Sequence, residues 1–192
     1  LPDGKAILQP GPDCSNTPEE TLEQAADTLT RTLRADLLKH VHAAEPAFLE
    51  RVVVQLLSAM GYGGGDARMA QVTGRTGDHG IDGKIREDAL GLDEVYIQAK
   101  RYADGNTVGE GDLRNFAGAL DAAGTVKGVF VTTSDFTRAA LDYIEKSPKR
   151  IIPINGSELA ALMVKHNIGV RVDTTYEVKR IDDDYFDGDM FG

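Results

Sequence analysis

Asp82, Gln98 and Lys100 have the types and spacing to do chemistry together. Asp82 sits in Gly80-Ile81-Asp82-Gly83, and the other two lie near the end of Val95-Tyr96-Ile97-Gln98-Ala99-Lys100. In a strand, side chains two apart share a face. Gln98 and Lys100 therefore project together with Tyr96, while Val95, Ile97 and Ala99 face the other way. If 81–86 and 94–100 form a hairpin, Asp82 lies across from them, and its flanking glycines let backbone or ligand approach. A carboxylate, an amide oxygen and an ammonium then share one patch. Mg2+ takes oxygen ligands, typically one or two carboxylates with water and substrate phosphate. Asp82 supplies a carboxylate, Gln98 a neutral oxygen, and the Ala99 carbonyl a natural third ligand. Lys100 cannot be a ligand, but its charge can orient a water and stabilise charge developing on phosphorus. Together these describe metal-dependent phosphodiester hydrolysis. Taken singly, each residue has a plainer reading. An Asp in a glycine-rich turn often only caps it, and edge strands often carry Lys.

The surrounding pattern predicts the elements that hold this patch. Residues 1–16 contain Pro2, Pro10, Gly11 and Pro12 without periodicity and read as a linker remnant. Thr17-Pro18-Glu19-Glu20 is a helix start with a capping box, and the helix runs to about His40 on a stripe of Leu22, Ala25, Ala26, Leu29, Leu33, Leu37 and Leu38. A second helix spans Pro46 to Gly61, with Leu49, Val52, Val53, Leu56 and Met60 at helical spacing. Gly63-Gly64-Gly65 reads as a flexible loop without the ending of a phosphate loop. Strands follow near 70–73, 81–86 and 94–100. A helix carries Leu113, Phe116, Ala117 and Leu120, and 127–133 is a β-branched strand. Thr133-Ser134-Asp135 is expected to cap a helix from Phe136 to about Lys146, with a candidate phosphate contact at its N-terminus. A strand at 150–154, a helix at 157–166 and a last strand at 169–179 complete the chain. This order implies an α/β fold, a mixed sheet with helices on both faces.

Composition bounds the function. The chain has 192 residues, 41% hydrophobic and 27% charged, enough for one domain with a core. The single cysteine, Cys14, excludes an internal disulfide and fits a reducing, cytoplasmic setting. No apolar run approaches the roughly 18 residues of a spanning helix, so no membrane partner is expected. The first residue is Leu1 rather than Met, which reads as a fragment or a processed chain. The net charge of −10 counts against a dedicated nucleic-acid binder, because that affinity comes mostly from Lys and Arg on phosphates. It does not count against an enzyme acting on DNA. Much of the excess lies in an acidic tail, 181–192, with Asp182, Asp183, Asp184, Asp187 and Asp189.

The blocks "GDHGIDGKI", "LGLDEVYIQAKRY", "NFAGAL", "KGVFVTTSDFT" and "LMVKHNIGV" resemble, in order, the catalytic domain of Mrr-type restriction endonucleases. The resemblance runs from about Thr17 to Phe186, and the catalytic domain is drawn at 17–180. This family lies in the PD-(D/E)xK nuclease superfamily, in the branch where Gln replaces the acidic residue of the last motif. The resemblance implies a restriction-endonuclease-like fold and DNA cleavage dependent on Mg2+, with Mn2+ as a substitute. It also implies a role in restricting modified, methylated foreign DNA. It assigns Asp82 to the metal, Gln98 to the variant motif position and Lys100 to the motif lysine. Glu50, in "PAFLERVVVQLLSAMGY", matches the acidic residue that the first core helix turns towards the metal; without the resemblance it would read as an ordinary first-turn Glu. Arg101, Thr133 and Ser134 are candidate DNA contacts. The chain departs from the pattern at His79, where the family has Gly, at Val108-Gly109-Glu110-Gly111, and at Asp121-Ala122-Ala123-Gly124. Asp78 is expected to order the turn. Family members usually carry an N-terminal winged-helix domain, which is expected to lie outside these residues, and double-strand cutting implies at least a transient homodimer on DNA. The competing readings are an inactive nuclease-fold binding module and a repair or junction nuclease on the same fold, since fold alone does not fix function.

Overall fold

The computed structural model describes residues 16–65, 70–72, 81–88, 90, 92–103 and 105–186. Helix α1 (Pro18–Ala43) begins where the capping box predicts. The Thr17 hydroxyl accepts from the Glu20 N–H at 3.2 Å, and the Glu20 carboxylate accepts from the Thr17 N–H at 2.9 Å. The apolar stripe is only partly used. Val41 is buried and Leu37 packs against the core, whereas Leu22, Leu29 and Leu33 stay exposed. Helix α2 (Pro46–Ala59) buries Leu49, Val52, Val53 and Leu56, with Glu50 beside that stripe and only partly covered. Burial of each such side chain contributes about 1.5–3 kcal/mol. The glycine-rich segment makes a tight turn, Tyr62–Gly65, in which Gly63 and Gly64 take positive φ, a conformation glycine adopts without steric cost.

Five described strands form the central sheet: β1 (Ala70–Val72), β2 (Gly83–Arg86), β3 (Glu94–Lys100), β5 (Lys127–Thr132) and β7 (Arg150–Ile154), in the order β1-β2-β3-β5-β7. The β1-β2-β3 portion is antiparallel, and β3-β5-β7 is parallel. The parallel half needs crossovers, supplied by α3 (Glu110–Ala122) and α4 (Arg138–Lys146). Each crossover also carries a two-residue strand, β4 (Thr107–Val108) and β6 (Asp135–Phe136), and these pair parallel with each other. Helix α5 (Gly156–Lys165) follows β7 and packs on α1.

The alternation in β3 divides two cores. Val95, Ile97 and Ala99 join the side of α1, α2 and α5, where Leu49, Val53, Leu56 and Leu159 are buried. Tyr96 joins the side of α3 and α4, where Phe116 and Phe130 meet edge to face at 5.6 Å. Helices thus cover both faces of a mixed sheet, as predicted.

Two expectations fail. The helix after β5 does not start at Phe136, because Asp135 and Phe136 are taken into β6 and Thr137 becomes the cap, its hydroxyl accepting from the Ala140 N–H at 3.2 Å. The segment 169–179 carries no regular structure and joins no sheet among the described residues, and Val172 and Val178 are largely exposed. Its β-branched residues fit a pleated surface only where one is offered. A one-turn helix, α6 (Asp183–Phe186), lies in the acidic tail. No helix among the described residues is long and apolar enough to cross a membrane.

Candidate active site

The β2–β3 hairpin sets the geometry. Gly83 pairs with Ile97, and one residue earlier Asp82 donates its N–H to the Ile97 carbonyl at 2.9 Å. There the ladder changes character. The Ala99 N–H donates to the Asp82 side chain, Oδ2, at 2.7 Å, so the carboxylate replaces the next backbone partner. Successive strand carbonyls point to opposite edges. The Ile97 carbonyl faces Asp82, and the Lys100 carbonyl accepts from the Thr133 N–H on the β5 side at 3.4 Å. The Ala99 carbonyl, two residues from Ile97, is therefore directed to the Asp82 side.

Asp82 is partly buried, and its carboxyl is pushed up to about 6. Burial is the main cause, and the nearby Glu50 carboxylate adds to it. The Ala99 N–H and the Lys100 ammonium pull the other way without offsetting it. Two carboxylates thus approach each other short of positive charge. Gln98 is 7% exposed, and its Oε1 accepts no hydrogen bond from any described residue. A buried acceptor left unpaired costs about 1–3 kcal/mol, so Gln98 Oε1 calls for a donor or cation beyond the described residues. Among the described residues no three His, Cys, Asp or Glu gather as a metal cluster. Asp82, Glu50, the Gln98 amide and the Ala99 carbonyl offer only oxygen donors, the ligand chemistry that Mg2+ takes.

Lys100 has a partner that the strand pattern does not indicate: its Nζ meets Asp112 Oδ1 on α3 at 2.5 Å. Asp112 Oδ2 also accepts from the Tyr102 hydroxyl and the Gly109 N–H, each at 3.1 Å. Burial alone would lower the lysine's pKa and raise that of the aspartate. The contact reverses both, so the Lys100 ammonium titrates above an ordinary lysine and the Asp112 carboxyl below the usual carboxylate range. Lys100 stays near enough to Asp82 for its charge to be felt there. Asp112 was missed from the sequence. The available signal was its place three residues after Gly109, at the first turn of a helix where a carboxylate can cap.

The candidate DNA contacts are placed differently. The Arg101 guanidinium donates to the carbonyls of His42 and Ala44, tying the end of β3 to the α1–α2 junction. Thr133 is buried, and its hydroxyl bonds both the N–H and the carbonyl of Tyr102. Ser134 donates to the Asn106 carbonyl. With the α4 cap at Thr137, Thr133 and Ser134 do not form a helix N-terminus, which removes the reason for expecting a phosphate there. Asp78, His79 and Cys14 lie outside the described residues.

Comparison with known proteins places this geometry in a family. The Mrr catalytic-domain model, described as a restriction endonuclease, matches residues 41–163. That span includes Glu50, Asp82, Gln98 and Lys100. The chain is 38% identical over 172 residues to the type IV methyl-directed restriction enzyme EcoKMrr of Escherichia coli (strain K12). That alignment covers 90% of this chain and 55% of the relative, so the chain spans about half the length of the protein it matches. Two solved structures share the fold. MspJI restriction endonuclease in complex with a 27-mer oligonucleotide superposes with a TM-score of 0.52 at 23% identity, covering 82% of this chain and 36% of that one. The DNA modification-dependent restriction endonuclease AspBHI gives 0.55 at 19% identity, covering 73% and 36%. With the family model matched across the hairpin, both cores and the crossovers, the chain belongs to the Mrr catalytic-domain family of restriction endonucleases and has the restriction-endonuclease-like fold.

Proposed function

We propose that this chain is the Mg2+-dependent cleaving unit of an endonuclease directed at modified DNA. The observation that carries this reading is the unpaired, buried Gln98 Oε1 on the strand that also bonds Asp82. An acceptor without a partner among the described residues and a nearby carboxyl pushed up to about 6 mark a functional site on physical grounds. Asp82, Glu50, Gln98 and the Ala99 carbonyl would hold the metal. A bound Mg2+ would polarise the phosphodiester and make a water more acidic. Lys100 has three N–H donors and, held at the rim of the site, orients the attacking water and offsets charge on the phosphate oxygens. DNA selection and the pairing of two sites for double-strand cutting are assigned to parts outside this unit and to a second copy. That division fits the acidic balance of the chain.

Incubating the full-length protein with methylated and unmethylated plasmid, each with Mg2+ or EDTA, tests the reading. Cleavage of methylated plasmid with Mg2+ and none in EDTA is expected. Equal cutting of both plasmids would remove the modified-DNA assignment, and cutting in EDTA would remove the metal.

The amide at Gln98 makes a second expectation. An all-oxygen site with Gln holds one negative charge fewer than one with Glu, and ligand charge tunes cation affinity. Gln98→Glu should lower the Mg2+ concentration for half-maximal cleavage by about threefold to tenfold. An unchanged metal titration would count against Gln98 as a ligand.

A further inference from the structure

We propose that Asp112 is the positioning residue for Lys100, holding its ammonium at the place from which it serves the reaction. The inference rests on the nuclease reading above and adds a residue on α3 to it.

Three bonds converge on this one carboxylate. Its Oδ1 takes the Lys100 ammonium at 2.5 Å, and its Oδ2 takes the Tyr102 hydroxyl and the Gly109 N–H at 3.1 Å each. Each anchor comes from a defined element: Lys100 ends β3, Tyr102 follows it, and Gly109 precedes α3. Tyr102 is itself fixed, because the buried Thr133 hydroxyl bonds both its N–H and its carbonyl. The Tyr102 ring also lies 5.9 Å from the Lys100 ammonium. A free lysine side chain samples many rotamers, and ordering one costs up to about 2 kcal/mol. Here the fold has already ordered it. The bond to Asp112 engages only part of the ammonium's three-donor capacity, so the clamp is compatible with contact to a water or phosphate. Asp112 touches neither, and acts through Lys100.

The contacts of Asp112 go beyond those of a helix cap. Capping the start of α3 needs only the Gly109 N–H and one carboxylate oxygen. The second oxygen and the Tyr102 hydroxyl are spent on the lysine and its support.

The test uses the full-length protein under saturating Mg2+ and compares Asp112→Asn, Tyr102→Phe and Lys100→Ala by steady-state cleavage and thermal melting. Asp112→Asn keeps an acceptor for Gly109, so the helix start is retained, but it loses the charge that holds Lys100. A misplaced catalytic group costs up to about a hundredfold. Asp112→Asn should lower kcat by about tenfold to a hundredfold, with KM for DNA within about twofold and the melting temperature close to wild type. Tyr102→Phe should lower kcat a few-fold in the same manner. Adding Asp112→Asn to Lys100→Ala should cost nothing further, because residues acting as a unit are not additive. If Lys100→Ala is inactive while Asp112→Asn cleaves as fast as wild type or faster, the positioning role fails and the nuclease reading stands. A kcat loss that tracks a lowered melting temperature assigns Asp112 to the helix cap and also overturns the proposal. Lys100→Ala cleaving like wild type would instead overturn the nuclease role of the site itself.

Discussion

Asp82→Asn should give a protein that melts at a higher temperature in EDTA and does not cut DNA. The two effects have one cause. The Asp82 carboxyl is raised to about 6 from 3.8, first by burial and then by Glu50. Between those values the folded chain binds more protons at this site than the unfolded chain does. Stability therefore falls as pH rises through that window. The group's contribution is best below about 4 and is lost as pH passes about 6; the full shift is worth about 3 kcal/mol, and solvent screening of this partly exposed carboxylate reduces the cost at neutral pH to on the order of 2 kcal/mol. The amide removes that charge, and its oxygen can still accept from Ala99. At pH 7.5 the melting temperature should rise by about 4–8 °C. Near pH 4, where the wild-type carboxyl is largely protonated, the difference should nearly vanish. Cleavage with Mg2+ should fall by about a hundredfold to a thousandfold, the order of loss when a charge-stabilising group is removed.

Adding Mg2+ should reverse the stability ranking, because a ligand bound only by the folded state stabilises it by mass action. Wild type should gain with metal, and Asp82→Asn should not. An unshifted melting temperature at pH 7.5 would mean that the Asp82 charge carries no strain. Equal stabilisation of both proteins by Mg2+ would place the cation elsewhere.

The elements were legible where one local signal dominated. Strand β3 was predicted at its observed bounds because Val95, Ile97 and Ala99 alternate with Tyr96, Gln98 and Lys100, and each set meets a different core. The start of α1 followed from Thr17 and Glu20. The hairpin register then placed Asp82 against β3 as expected. What was not legible depends on partners distant in sequence. Alternation fixes the face on which Lys100 leaves the strand, but a long side chain chooses its partner from whatever the fold brings near. Here that is Asp112 on the next helix, with Tyr102 beside it. The β4–β6 pair was invisible because two residues per strand carry no period. The predicted strand at 169–179 had the right residue types and no ladder to join.

Gly156 is another such case, and its substitution should give the largest stability loss. It is the first residue of α5, held by its N–H to the Ser134 carbonyl at 2.9 Å. A Cβ added there would press on the Thr133 carbonyl oxygen and lie 2.8 Å from the Thr133 carbonyl carbon, with Leu38 Cδ2 at 3.2 Å. The obstacle is backbone, so no side-chain rotation relieves it. Overpacking of this kind costs about 3 kcal/mol, which in a chain of this size lowers the melting temperature by about 6–12 °C. The displaced strand end also carries the Thr133 hydroxyl, which fixes Tyr102, which in turn supports Asp112 and Lys100. Gly156→Ala should therefore lose kcat below its melting temperature as well as stability. Gly118, exposed in α3 with open space around it, is the matched control. Its change to Ala removes the helix cost of glycine and should raise stability by about 0.5–1 kcal/mol with cleavage unchanged. Equal melting temperatures for the two variants would show that α5 can shift away from Thr133, and the packing argument for the site's support would fall.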